Sequence, residues 1–258
     1  MLELERLTKV YPGGGAPAVN DLSLSVREGE FIVLLGGSGC GKTTTLKMIN
    51  RLIEPTSGRI TIAGDDVTTM DPVALRRRIG YVFQGIGLFP HMSISANIGV
   101  TPRLMRWSAA DIDSRVDELL ELVGLPPNEY RDRAPSELSG GQRQRVGVAR
   151  AIASKPRILL ADEPFGALDP LTRMGLQDEL LALRDALNLT IVLVTHDMTE
   201  AVLLADRIVV MDEGRLVQCD TPAHLMRAPA NDTVRRLMEA PKRQADRVED
   251  IAGAGSNP

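Results

Sequence analysis

The chain opens with alternation. Leu2–Leu7 and Leu22–Val26 alternate apolar and polar side chains, the pattern of a strand with one buried face, with Arg6 breaking the period before Leu7, and turn residues fill Pro12–Gly15 between them. Phe31–Leu35 is apolar throughout and lies between glycines, which suits a strand buried on both faces. Helical spacing follows over Thr43–Leu52, and Ile60–Ile62 and Ile79–Phe83 read as short strands. From about Leu88 to Arg150 the spacing is helical, over Ser93–Ile98, Ile112–Val123 and Gln142–Ala153, with Gly124, Pro126 and Pro127 as breakers. Strand patterns return at Ile158–Ala161 and Ile191–Val194. The helix predicted between them, Leu176–Leu187, makes a βαβ unit. Ile208–Met211 and Leu216–Cys219 flank Glu213-Gly214 as a hairpin, and short helices are predicted at Pro222–Arg227 and Thr233–Glu239. The stretch from Pro241 is polar and rich in small residues, so 241–258 is expected to be a disordered tail. No internal repeat interrupts this order.

The pattern therefore predicts an α/β chain with one domain over residues 1–240. Its core would come from 1–87 and 151–240, with a helical subdomain at about 88–150. The composition, 43% hydrophobic and 25% charged, agrees with a packed globular domain. A formal net charge of −4 argues against nucleic acid as a partner, since such binders present a basic face. Cys40 and Cys219 fit no metal spacing and read as free thiols in a reducing compartment. No apolar run approaches the roughly 20 residues of a membrane span, and MLELERLTKV is too charged for a signal peptide. A cytoplasmic location is expected, with any membrane role exerted through a partner.

Three stretches carry chemistry. Gly36-Gly37-Ser38-Gly39-Cys40-Gly41-Lys42-Thr43 fits G-x-x-x-x-G-K-[ST] in the required setting, after a buried strand and before a helix. Glycines let backbone N–H groups turn inward around phosphate oxygens, and the helix directs its positive end at the anion. Lys42 would supply a point charge to the β- and γ-phosphates, and the Thr43 hydroxyl a ligand to Mg²⁺. Ile158-Leu159-Leu160-Ala161-Asp162-Glu163 is a buried strand ending in two carboxylates, and in a parallel sheet ligands gather at the carboxyl ends of strands. Asp162 would face the metal beside Thr43, through water. Glu163, one residue on, would point elsewhere and polarise the attacking water. A solvated pair at a strand end is the bland alternative. Leu138-Ser139-Gly140-Gly141-Gln142 opens the third helical stretch with a hydroxyl and two glycines, either as a second anion-binding device or as a plain N-cap by Ser139; both can hold.

The pentapeptide Leu138–Gln142 resembles the signature of ABC ATPases, and other motifs of that family follow in order over residues 1–240. Tyr11 resembles the aromatic that stacks on adenine, and Gln84, at the end of Ile79–Phe83, the glutamine that senses Mg²⁺ and water. Ala167-Leu168-Asp169 resembles the loop that crosses the dimer, and His196 the switch histidine at the γ-phosphate. Thr44 belongs with the phosphate-loop ligands in this likeness. The resemblance implies a phosphate-loop NTPase fold of the ABC type, with an N-terminal antiparallel β-subdomain, a RecA-like core and a helical subdomain. It implies ATP and Mg²⁺ as cofactors, with Thr43, Gln84 and Asp162 at the metal. It also implies two copies stacked head to tail, each ATP touching Gly36–Thr43 of one and Ser139–Gln142 and Asp169 of the other. A membrane permease would dock near Gln84–Met92, an extracytoplasmic binding protein would deliver substrate, and the subunit would sit on the cytoplasmic face of the plasma membrane.

A narrower resemblance, to importers of quaternary amines such as glycine betaine, choline and carnitine, rests on Ile86–Met92, Thr44–Leu52, Pro102–Ser108, Glu129–Arg133 and Pro229–Asp232. Gly85 departs from it, standing where these relatives usually carry glutamine or serine. Many of them also extend into paired regulatory domains, so regulation through such domains is not expected of the sequence up to Pro258. Another ABC substrate or an exporter remains an alternative, and a soluble ABC protein of DNA repair or translation a remote one. Among residues that invite over-reading, Trp107 is expected to cover a helix, Cys40 to be a tolerated small side chain, and Arg76–Arg78 to be a solvated charge run.

Overall fold

A computed structural model of the chain describes residues 1–13, 15–85, 87–166 and 168–239. Two sheets carry the fold. The first is antiparallel, in the order β2-β1-β4-β5, from β1 (Leu2–Lys9), β2 (Val19–Val26), β4 (Ser57–Ile62) and β5 (Asp65–Asp66). The second has the order β10-β9-β3-β8-β7-β6, from β3 (Phe31–Leu35), β6 (Ile79–Val82), β7 (Ile158–Asp162), β8 (Thr190–Thr195), β9 (Arg207–Asp212) and β10 (Arg215–Asp220). Its strands run parallel except for the β9–β10 hairpin. Strands β3, β7 and β8 are buried at every position, as a sheet covered on both faces requires.

The helices divide by position in the chain. α1 (Lys42–Ile49) and α2 (Pro72–Arg78) precede β6. Between β6 and β7, every regular element among the described residues is helical: α3 (Ile94–Ile98), α4 (Val100–Leu104), α5 (Ala109–Leu122), α6 (Pro127–Tyr130) and α7 (Gly140–Ile152), with a 3₁₀ turn at Pro135–Glu137. α8 (Pro170–Leu187) crosses from β7 to β8, α9 (Met198–Leu204) lies between β8 and β9, and α10 (Pro222–Arg227) follows β10, with residues 232–239 helical beyond it. One core cluster joins the sheet to the helices through Phe31, Ile98, Leu119, Val146 and Ile191; the other joins both sheets to α1 through Leu4, Ile32, Leu46, Met48 and Leu160.

Side-chain caps fix most helix starts. Ser93, Ser108, Ser139, Asp169, Asp197 and Thr221 each accept from a backbone N–H of the first turn, worth roughly 1 kcal/mol apiece. The buried Arg115 of α5 does the converse at a C-terminus, donating to the carbonyls of Ile152 and Ala153 at the end of α7 and pairing with Glu118 at 2.7 Å.

Several predicted boundaries shift. α7 begins at Gly140 rather than Gln142, because Ser139 takes the cap position. α8 begins at Pro170, six residues before the predicted start, since proline at the first helical turn pre-sets φ. β6 ends at Val82, so Gln84 stands two residues beyond the strand instead of ending it. The run Arg76–Arg78 is not simply a solvated face, as Arg76 donates to the carbonyls of Asn50 and Arg51 after α1. Trp107 packs against the helical side of the core. The stretch expected to be disordered, 241–258, lies outside the described residues, as do Ile86 and Ala167.

Candidate functional site

β3 delivers the chain to Gly36 at its carboxyl end. A Cβ on Gly36, where φ is +157°, would stand 2.2 Å from the Met211 carbonyl oxygen of β9 and 2.6 Å from Cys40 Sγ, so no side chain fits this crossing. Gly37, Ser38 and Gly39 arch into solvent, and Cys40 turns back inside with its sulfur buried. α1 then starts from Gly41 with no side-chain cap, which leaves its first N–H groups available to an anion. Lys42, almost fully buried, curls over the loop and donates to Gly36 O at 2.7 Å and Gly37 O at 2.9 Å; Cys40 Sγ lies 3.7 Å from its Nζ. Thr44 is half-buried in the first turn of α1.

The acidic strand end sits directly beside this loop. Thr43 Oγ1 donates to Asp162 Oδ1 at 2.9 Å. Burial pushes the Asp162 carboxyl above its ordinary range against the hydrogen bond from Thr43, with the neighbouring Glu163 pushing the same way. Tyr81 on β6 is likewise raised, by burial and then by Asp162. The next residue turns away, since Glu163 adopts φ +45°, a left-handed conformation that costs a non-glycine residue roughly 1–2 kcal/mol. A bond from its N–H to Val194 O at 2.9 Å on β8 holds it there.

That turn places the Glu163 carboxylate between two strands' ends. Gln84 Nε2 donates to Oε2 at 3.1 Å, and His196 Nδ1 lies 3.2 Å from Oε1. The neighbours are supplied by strand order: β6, β7 and β8 lie side by side, and Gln84, Glu163 and His196 each follow one of them.

Elsewhere the structure separates what sequence grouped. Ser139 and Gln142 form a reciprocal capping box at α7, Ser139 Oγ accepting from Gln142 N at 3.2 Å and Gln142 Oε1 accepting from Ser139 N at 2.9 Å. Gln142 Nε2 adds a bond to the Tyr130 hydroxyl at 3.0 Å. The capping alternative is therefore realised, and none of these bonds reaches Gly36–Thr43. Gly140 is open, whereas a Cβ on Gly141 would stand 2.3 Å from Cγ2 of Thr172 in the first turn of α8. Asp169 caps that same turn through Thr172 N at 3.1 Å, and these hydrogen bonds hold its carboxyl below the usual range. Tyr11 is exposed, with Lys9 Nζ 5.3 Å from its ring centroid.

Two positioning devices escaped sequence reading. Thr195 Oγ1 donates to the buried Glu200 at 2.6 Å and accepts from Asp197 N at 3.0 Å, so both neighbours of His196 are anchored. Arg173 of α8 pairs with Asp197 at 3.3 Å and reaches the Leu168 carbonyl at 3.4 Å, tying this turn to the loop before Asp169. Burial pushes the Glu200 carboxyl up. The spacing Asp197-x-x-Glu200 was a visible capping signal, yet Glu200 turns to Thr195 instead. The second device is Asn97, fully buried, which accepts from Phe89 N at 2.8 Å and donates to the carbonyls of Phe89, Met92 and Ser93. It fastens the segment that leads from Gln84 to the helices.

A glycine-rich loop closing on lysine, at the carboxyl edge of a parallel sheet and beside a buried aspartate, defines a nucleoside-triphosphate-binding domain of the phosphate-loop class. Residues 19–166 match the ABC transporter family, and the chain belongs to it. It is 57% identical to the glycine betaine/carnitine/choline transport ATP-binding protein OpuCA of Bacillus subtilis, over 92% of this chain and 62% of that protein's length. It is 53% identical to the glycine betaine uptake system ATP-binding protein YehX of Escherichia coli, over 92% of this chain and 76% of that one. Among solved structures, the dimeric post-hydrolysis state of the ATP-binding cassette MJ0796 bound to ADP and Pi superposes with a TM-score of 0.76 at 34% identity, covering 86% of this chain and 98% of that one. The fold is thus that of an ABC ATPase cassette.

Proposed function

We propose that the chain hydrolyses ATP to power an importer of quaternary amines of the glycine betaine, choline and carnitine type. One observation carries the hydrolytic reading: the Glu163 carboxylate is held between Gln84 and His196, one residue from the aspartate bonded to Thr43. The phosphate loop and Thr44 would bind the triphosphate, with Lys42 exchanging its bonds to loop carbonyls for phosphate oxygens. Thr43 and Asp162 offer hard oxygens 2.9 Å apart, a donor set that fits Mg²⁺, which takes one or two carboxylates and keeps several waters. Mg²⁺ when bound would offset charge on the phosphates. Glu163 would accept the proton of the attacking water, a step worth ~10²–10⁴ in rate. Gln84 would orient that water and His196 would face the γ-phosphate. Tyr11 would stack on the base.

Ser139–Gln142 and Asp169 make no bond to the loop of their own chain. They are read as serving the nucleotide of a second copy packed head to tail, in line with the dimeric MJ0796 cassette. A permease would dock beside Gln84–Met92, where a hollow of about 490 Å³ opens among Leu52, Phe83, Phe89 and Arg150. Leu52, Phe83 and Phe89 are all exposed there. Among the described residues no helix is long and apolar enough to cross a membrane. The subunit would sit at the cytoplasmic face of the plasma membrane through its permease, with an extracytoplasmic binding protein upstream. Substrate class rests on likeness to the relatives alone.

Cells deprived of the chain should lose uptake of labelled glycine betaine, choline or carnitine. Unchanged uptake of all three would refute the substrate class. Absence of ATPase activity in the purified chain with its permease would refute the enzyme.

A further inference from the structure

The strands that end at the nucleotide site begin at a second cavity. It has a volume of about 470 Å³, within the range of small-ligand sites. Ile79 and Ile158, the first residues of β6 and β7, form part of its floor. Asp162 closes β7 four residues later, so the cavity lies roughly 13 Å along the strand from the acidic end. It is a different place from the phosphate loop, and none of the loop residues lines it.

Its lining is lopsided in charge. Arg77 and Arg78 come from the last turn of α2, and Lys155 and Arg157 from the connection between α7 and β7; Asp65 is the one carboxylate on the wall. Among the described residues, these four cationic side chains make no hydrogen bond and no ion pair. Arg77 Nε is moreover buried and without a partner, a state that folded proteins rarely leave uncompensated. The same wall carries thioethers from separate segments, Met1 before β1, Met70 before α2 and Met105 after α4. Methionine adapts its shape to flat or irregular apolar groups, and sulfur favours aromatic edges. Guanidinium forks match phosphate oxygens two at a time.

We propose that this cavity binds a phosphate ester bearing an apolar group, its phosphate on Arg77, Arg78, Lys155 and Arg157 and its apolar part against Met70 and Met105. The site is separate from the ATP site. It joins the N-terminal sheet, α2, the end of α4 and the α7–β7 connection, so a bound ester would staple segments that no backbone ladder links directly.

The test titrates 1-naphthyl phosphate into the full chain with saturating MgADP present, so that the phosphate loop is occupied. Saturable binding is expected, at least tenfold tighter than inorganic phosphate, weakening as salt rises. The double variant Arg77→Ala/Arg157→Ala should weaken it at least tenfold with MgADP affinity unchanged, since neither side chain holds another part of the fold. Met105→Asp, at an exposed position, should weaken it independently, by replacing the thioether of the apolar wall with a carboxylate that repels the phosphate. Absence of saturable binding, displacement of the probe by MgADP, or wild-type affinity in both variants would overturn the site. A flotation arm with phosphatidylglycerol vesicles separates sources: flotation lost in the double variant assigns the ester to a membrane lipid, and no flotation beside intact probe binding assigns it to a soluble metabolite.

Discussion

Replacing Glu163 by glutamine would remove the proposed base and almost nothing else. The amide oxygen can still accept from Gln84 Nε2, now at 3.1 Å, and the new NH₂ can donate to His196 Nδ1, now 3.2 Å from Oε1. The backbone bond to Val194 is untouched. Both side-chain contacts survive in an isosteric group, so the stability change should stay below about 1 kcal/mol. The loss falls on the transition state. A positioned base contributes ~10²–10⁴ in rate, or about 2.7–5.4 kcal/mol of barrier. Glu163→Gln should therefore bind MgATP within about threefold of wild type, because the proposed function assigns that affinity to Gly36–Thr43, while kcat falls at least ~100-fold. Nucleotide binding by calorimetry and phosphate release under saturating ATP separate the two quantities. On a sizing column the variant with ATP should run as a dimer. A kcat within tenfold of wild type would refute Glu163 as base, and lost nucleotide binding would show that it acts in the ground state.

Other outcomes follow from the same geometry. Ser139→Arg should abolish hydrolysis and leave nucleotide binding by the monomer nearly intact, since the Ser139 hydroxyl is bonded within its own helix cap; equal loss of both would refute a site shared between copies. Gly36→Ala drives a Cβ to 2.2 Å from the Met211 carbonyl. It should cost about 1–3 kcal/mol in a urea titration along with nucleotide binding, and an unchanged midpoint would contradict the β3–β9 contact. Glu200 binds its proton more tightly folded than unfolded because burial raises its pKa, so its contribution falls as pH rises from the unfolded value near 4.5 through the raised one. Each unit of that rise costs about 1.4 kcal/mol at neutral pH. Glu200→Gln, still able to accept from Thr195, should gain stability over wild type at pH 7.5 and lose the gain towards pH 4.5; an opposite trend in urea midpoints would refute the assignment.

Much of this was legible in sequence because local chemistry dictated it. The strand Phe31–Leu35 is apolar at every position because both faces are covered, and Gly36 and Gly41 of the following loop are required where the Met211 and Ala18 carbonyls pass close by. What escaped depends on packing across the chain. No spacing shows that β6, β7 and β8 lie side by side, although that adjacency brings Gln84, Glu163 and His196 together. The left-handed turn at Glu163 carries no glycine to announce it. Arg115 and Asn97 sit in helical stretches where polar residues ordinarily face water, yet each is buried to satisfy carbonyls of a neighbouring segment. Two helix starts slipped where a serine or aspartate cap set the first turn ahead of the predicted residue, at Gly140 and Pro170.

β6 is the outermost strand of its sheet, paired on one side only, by β7. The chain leaves it through Gln84 and runs into the segment that Asn97 clasps to the helices. A pull arriving through those helices would reach Gln84 before any interior ladder. Moving it off Glu163 would break one side-chain bond of 3.1 Å, a loss of about 1.5–3 kcal/mol against a charged acceptor, without requiring the buried strands β3, β7 and β8 to leave register. On the proposed function the edge of the sheet would act as a clutch: the rigid centre would keep the nucleotide, and a small displacement at the margin would decide whether the carboxylate is aligned to act.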